Sequence, residues 1–72
     1  MTLKDVIGFK NQIRIKEYGR LGDALIFIGG VYYADGKLIP IDGGFYTLGM
    51  ELNAWEWLDD STLMIVRGRH DD

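Results

Sequence analysis

Side chains able to attack a substrate, relay a proton or hold a metal are scarce in this chain. There is one histidine, His70, close to the carboxyl end, one serine, Ser61, between two acidic residues and a threonine, and no cysteine. Nucleophilic catalysis needs a serine, cysteine or threonine oriented beside a base, with that base oriented by a third group. No such set can be assembled from these positions. Carboxylates are more plentiful, but most stand where turns are expected, and there Asp bonds to nearby backbone rather than working as an acid–base pair. Asp59-Asp60 could meet a calcium ion together with backbone carbonyls, yet the stretch lacks the ligand number of a calcium loop. The glycine pairs Gly29-Gly30 and Gly43-Gly44 belong to neither GxxxxGK[ST] nor GxGxxG, so they read as bends and not as phosphate cradles. The sequence therefore predicts a chain without enzymatic activity, cofactor or metal.

The residues left to consider suit binding. Trp55 and Trp57 are two apart, Tyr32 and Tyr33 are adjacent, and Arg14 and Lys16 alternate with isoleucines. Trp, Tyr and Arg are enriched at binding hot spots, and aromatic rings can stack on bases. Arg14 and Lys16 would supply contacts to an anion beside such a platform. The plainer reading is that the aromatics pack a core or pair across strands and that the cations line a solvated sheet face.

Charge narrows the partner. The net charge is −3, unevenly spread. Residues 1–20 carry Lys4, Lys10, Arg14, Lys16 and Arg20 against Asp5 and Glu17. Residues 21–66 carry Lys37 against Asp23, Asp35, Asp42, Glu51, Glu56, Asp59 and Asp60. An acidic chain gains little from phosphate neutralisation, which argues against general binding to duplex nucleic acid. A local basic patch remains compatible with an anionic ligand or a single strand. No apolar run approaches the ~20 residues of a membrane span, and no basic-then-apolar leader opens the chain, so the expected location is the cytosol.

The opening MTLKDVIGF predicts a short helix. Thr2 can cap it, Leu3, Val6 and Ile7 share a face, and Gly8 ends it. Gln12 to Tyr18 alternates, with Ile13 and Ile15 on one side and Gln12, Arg14, Lys16 and Tyr18 on the other, as in a half-exposed strand with a cationic outer face. Gly19 to Asp23 forms the connection. Ala24 to Ile28 is apolar at every position and is expected inside the sheet. Gly29-Gly30 marks a bulge or bend before Val31, Tyr32 and Tyr33. Asp35-Gly36 predicts a type I′ hairpin turn, after which Lys37 to Ile41 returns as an edge strand because of Pro40.

Asp42, Gly43 and Gly44 turn the chain again, and Phe45 to Leu48 leads into a last hairpin. Its strands are Met50 to Leu58 and Thr62 to Val66, around Asp59, Asp60 and Ser61. Alternation puts Met50, Leu52, Ala54 and Leu58 on one face, broken by Glu56, and Glu51, Asn53, Trp55 and Trp57 on the other. Thr62 to Val66 is apolar on both faces and is expected to be central. The fold class is α+β: one domain over residues 1–72, with a short N-terminal helix packed on a strongly twisted antiparallel meander of four to five strands, coiled towards a barrel. Residues 66–72 form a flexible tail. One short helix cannot cover two strands that are apolar on both faces, so the sheet must curl or a second copy must cover it, which makes a homo-oligomer an expected state.

The opening MTLKDVI, the IRIKE and IFIGGV strands and the closing TLMIV strand resemble short proteins encoded in phages and prophages of Gram-positive bacteria, with an N-terminal helix and a small antiparallel sheet. That resemblance implies a non-enzymatic inhibitor that occupies a surface of a host protein in the host cytosol, as anti-defence proteins such as anti-CRISPRs do. Three other readings stand beside it: an oligomeric binder of a small anionic ligand such as a signalling nucleotide, a single-strand binder, and a structural oligomerisation module. The candidate binding residues are Arg14, Lys16, Tyr32, Tyr33, Trp55 and Trp57.

Overall fold

A computed structural model describes residues 1–42 and 46–66 of the chain. One short helix, α1 (Leu3–Ile7), precedes five strands: β1 (Gln12–Leu21), β2 (Ala24–Ala34), β3 (Lys37–Pro40), β4 (Ala54–Asp59) and β5 (Thr62–Val66). The strands form one sheet in the order β3-β2-β1-β5-β4.

The helix begins as its sequence dictates. The Thr2 hydroxyl accepts from the Asp5 N–H at 3.2 Å and the Asp5 carboxylate accepts from the Thr2 N–H at 3.1 Å, a reciprocal capping box. These bonds, the one from the Thr2 backbone foremost, hold the Asp5 carboxyl below its ordinary value. Five residues cannot sustain a helix alone. Two of its first amides are satisfied from outside instead, with the Leu3 and Lys4 N–H groups donating to the Met50 and Leu48 carbonyls at 2.9 Å each. The segment after β3 thus fastens α1 to the sheet.

β1 is central. Ile13 and Ile15 are fully buried, β2 pairs with it antiparallel on one side, and β5 pairs with it parallel on the other. The sheet is therefore mixed and open, and neither the all-antiparallel meander nor the coiling into a barrel occurs. The two local hairpins do form. Asp35 and Gly36 both have positive φ, 52° and 82°, as a type I′ turn requires. At the other hairpin the Ser61 N–H donates to the Asp59 carboxylate at 2.8 Å, turning the chain through Asp60 and Ser61. The parallel contact arises because β4, reached through residues 46–53, is outermost and β5 returns from it beside β1.

That connecting segment also completes the core. Tyr46 and Leu52 are buried, and Leu48 and Met50 pack against Leu3, Ile7, Ile13, Ile15, Val31, Leu63 and Ile65. Burying each such aliphatic side chain contributes about 1.5–3 kcal/mol before chain entropy is charged against it. Met50 to Asn53 consequently lies outside the strand that alternation assigned to it, and Met50 and Leu52 share the core with Trp55 and Trp57 instead of facing away from them, while within β4 the alternation of Ala54 and Glu56 against Trp55 and Trp57 holds. Trp55 and Trp57 pair with Ile65 and Leu63 and pack on the core, whereas Leu58, at a register shift, is exposed. Glu17 is buried too, and its carboxylate accepts from the Tyr46 hydroxyl at 2.6 Å.

The expectation for Ala24 to Ile28 is also corrected. β2 does lie between β1 and β3, but β3 pairs only with Val31 to Ala34, and β5 pairs only with Arg14 to Tyr18 of β1. Residues 19–21 and 24–29 therefore project as a two-stranded arm, closed by Gly22 and Asp23. The predicted connection at Gly19 to Asp23 shortens to those two residues, because Gly19, Arg20 and Leu21 pair with Ile26, Leu25 and Ala24. The glycine pair does mark an irregularity: the register shifts between Glu17 and Tyr18, opposite Gly29 and Phe27, leaving Ile28 as the extra residue. At Gly30 a Cβ would stand 3.1 Å from the Ile15 carbonyl oxygen, so any side chain there would press on the β1 backbone, which would have to give by a few tenths of an ångström. Val66 belongs to β5, not to a tail. The turn at Gly43-Gly44, Phe45, and the tail from Arg67 onward lie outside the described residues.

Candidate binding surface

The sheet has two unlike faces. One is covered by α1 and residues 46–52; the other has no covering element among the described residues. Register lays out the open face in rows. Ile39, Tyr32, Arg14 and Thr62 cross it in one row, and Gly30, Lys16, Met64 and Glu56 in the next. A third row holds Phe27, Tyr18, Val66 and Ala54, where the edge of one aromatic ring meets the other with centroids 5.6 Å apart.

The predicted site residues divide between these faces. Arg14, Lys16 and Tyr32 come together on the open one, where the alternation of β1 put the two cations. Tyr33, Trp55 and Trp57 lie on the covered face, packed against the core. The Lys10 ammonium sits 4.9 Å from the centre of a Trp57 ring and donates to the Asp60 carbonyl at 2.8 Å, closing the exposed side of that indole. Tryptophans and cations thus do not form one platform; the sheet separates them.

Two shallow hollows flank Arg14. One, of about 260 Å³, is bordered by Gln12, Tyr32, Ser61 and Thr62. The other, of about 250 Å³, is bordered by Lys16, Phe27, Gly30, Ile41 and Asp42; the missing side chain at Gly30 opens the space beside Lys16. Arg14 and Lys16 make no ion pair among the described residues; Arg14 lines both hollows and Lys16 the second. Asp42 places one carboxylate at the edge of the second hollow and Glu56 another at the end of its row.

Phe27, Ile39 and Met64 belong to this surface but were not singled out as binding residues. A run apolar at every position, such as 24–28, carries no period to say which residues face outward. Of the potentially reactive groups, the Ser61 hydroxyl points to the Asp59 carboxylate at 3.4 Å, and His70 lies outside the described residues. The Ser61 N–H, foremost, and the Thr62 hydroxyl hold the Asp59 carboxyl below its ordinary value. Among the described residues no three His, Cys, Asp or Glu side chains gather within reach of one metal ion, and no helix is long and apolar enough to cross a membrane. No family model, no curated protein and no solved structure matches this chain.

Proposed function

We propose that this chain is a non-enzymatic binding protein that acts by occupying a surface of another protein, with the open sheet face as its contact. The observation that carries this reading is the row Ile39, Tyr32, Arg14, Thr62 beside Lys16, Met64 and Phe27. It is an uncovered mixture of aliphatic, aromatic and guanidinium groups of the kind that forms protein interfaces. Shape decides between a protein and a small ligand. Small-molecule sites are enclosed clefts of ~300–1,000 Å³, whereas the two hollows here are smaller, shallow and open. A flat face with two dimples beside an arginine suits side chains entering from another protein better than it suits a sequestered nucleotide.

The resemblance to phage and prophage proteins makes a bacterial host protein the proposed partner and inhibition the proposed consequence, of the anti-defence kind. Cationic Arg14 and Lys16 would meet an acidic or phosphorylated patch on it. The test is affinity capture from a Gram-positive bacterial lysate with three chains: the natural one, Arg14→Glu with Tyr32→Ala on the open face, and Glu51→Lys on the covered side. A protein held by the first and third and lost by the second supports the reading. Retention by all three, or no specific protein with any, overturns it. A nucleotide that raises the melting temperature of the natural chain, and not of the Arg14→Glu chain, would replace the protein partner with a small anion.

A further inference from the structure

We infer that the projecting arm is a self-association edge, where a second copy of this chain adds its own β2 antiparallel to residues 24–29. It needs no ligand on the open face, with which it shares Phe27 and Ile41.

Three observations converge on a second copy as the occupant. The first is the free edge. β3 ends at Pro40, and the last bonds on that side among the described residues run from the Ile41 and Asp42 N–H groups to the Gly30 carbonyl at 3.0 and 3.4 Å. From Ala24 to Gly29 the outer side of β2 has no strand against it among the described residues. Unpaired N–H and C=O groups along a strand are a template for another strand.

The second is area. Leu21, Leu25, Ile26, Phe27 and Ile28 are 42–49% exposed. Five half-exposed side chains of that size display on the order of 450 Å² of apolar surface over the two faces of the arm, within the range a soluble monomer shows. Pairing along β2 covers the part of that area that borders the edge, in Leu25, Ile26, Phe27 and Ile28 of each copy, together with the backbone edge and Ile41, which places the contact at the small, weak end of the interface size range.

The third is self-complementarity. A two-fold axis through Ile26 sets Leu25 of one copy opposite Phe27 of the other, twice, and Ile26 opposite itself, so every facing pair is apolar. The charged residues nearest the arm's tip, Arg20 and Asp23, are of opposite sign, so the turn brings no uniform charge to the contact. Edge strands that resist pairing carry an inward charge or a lysine, and Ala24 to Gly29 has neither. Because the axis is perpendicular to the sheet, the two open faces lie on the same side, doubling the surface that Arg14, Lys16 and Tyr32 offer.

The absence of native cysteine allows a direct test on the full chain. Light scattering is expected to give the mass of two chains at about 100 µM. Ile26→Lys should return one chain with an unchanged circular dichroism spectrum, since that side chain lies outside the core. Under mild oxidation Ile26→Cys should give a disulfide-linked dimer, as residues opposed across antiparallel strands stand at bridging distance, while Ile39→Cys, equally exposed on β3, should not. A single-chain mass for the natural protein, a dimer that survives Ile26→Lys, or equal cross-linking at positions 26 and 39 would each overturn the inference. Should Ile26→Lys not fold, the pair of cysteine variants decides alone.

Discussion

Among single residues, Tyr46 and Glu17 make the most consequential contact. A carboxylate in the core is costly unless its oxygens are bonded, and the Tyr46 hydroxyl supplies one bond at 2.6 Å. Tyr46→Phe keeps the ring and removes the donor, so the expected loss is about 1.5–3 kcal/mol, read as a lower urea midpoint at constant m-value. No change in midpoint would mean that the carboxylate is satisfied without Tyr46. Asp5 adds a pH dependence. Its carboxyl is held below the ordinary 3.8 by the Thr2 backbone N–H, so the folded state binds its proton less readily than the unfolded one. That stabilisation is complete well above pH 3.8, declines as pH falls past it, and is gone below the folded value. Asp5→Asn should flatten that part of the acid limb in a pH series of thermal melts.

At the scale of elements, the local signals proved sufficient where they were strong. Thr2 capped α1, Asp35-Gly36 made the I′ turn, Pro40 kept β3 at an edge, and Gln12 to Tyr18 alternated as its residues implied. They failed where every residue is apolar or where packing overrides alternation. Ala24 to Ile28 could not disclose that its neighbours stop short of it. Met50 to Asn53 was drawn out of strand pairing because Met50 and Leu52 are needed over the core, which also put Trp55 and Trp57 on the covered side. Two substitutions follow from this difference between arm and body. Ile15→Ala, in β1 where it is fully buried, is expected to cost about 2–5 kcal/mol. Phe27→Ala, on the half-exposed arm, should cost the monomer at most about 1 kcal/mol. Comparable losses in chemical denaturation at low protein concentration would place the arm inside the cooperative core.

For the molecule as a whole, the parallel pairing of β1 with β5 had no sequence signature. It goes with the choice of Tyr46, Leu48, Met50 and Leu52 as the residues that fill the space beside a helix too short to cover the sheet. The same choice leaves the opposite face open, so one packing solution determines both the core and the candidate binding surface. Amide exchange separates this arrangement from an antiparallel meander. In the observed order β5 is flanked by β1 and β4 and contributes the buried Leu63 and Ile65 to the core, while β3 is a four-residue edge. Amides of β5 and of β1 from Arg14 to Tyr18 should exchange slowest, at the rate set by global unfolding, and those of β3 fastest among the strands. In a meander ordered by sequence, β5 would be the edge and β3 internal, reversing that ranking. Amides from Ala24 to Gly29 should behave differently again: half exposed to exchange in dilute solution, they should slow as protein concentration rises and a second β2 covers their free side, while β3 remains unchanged.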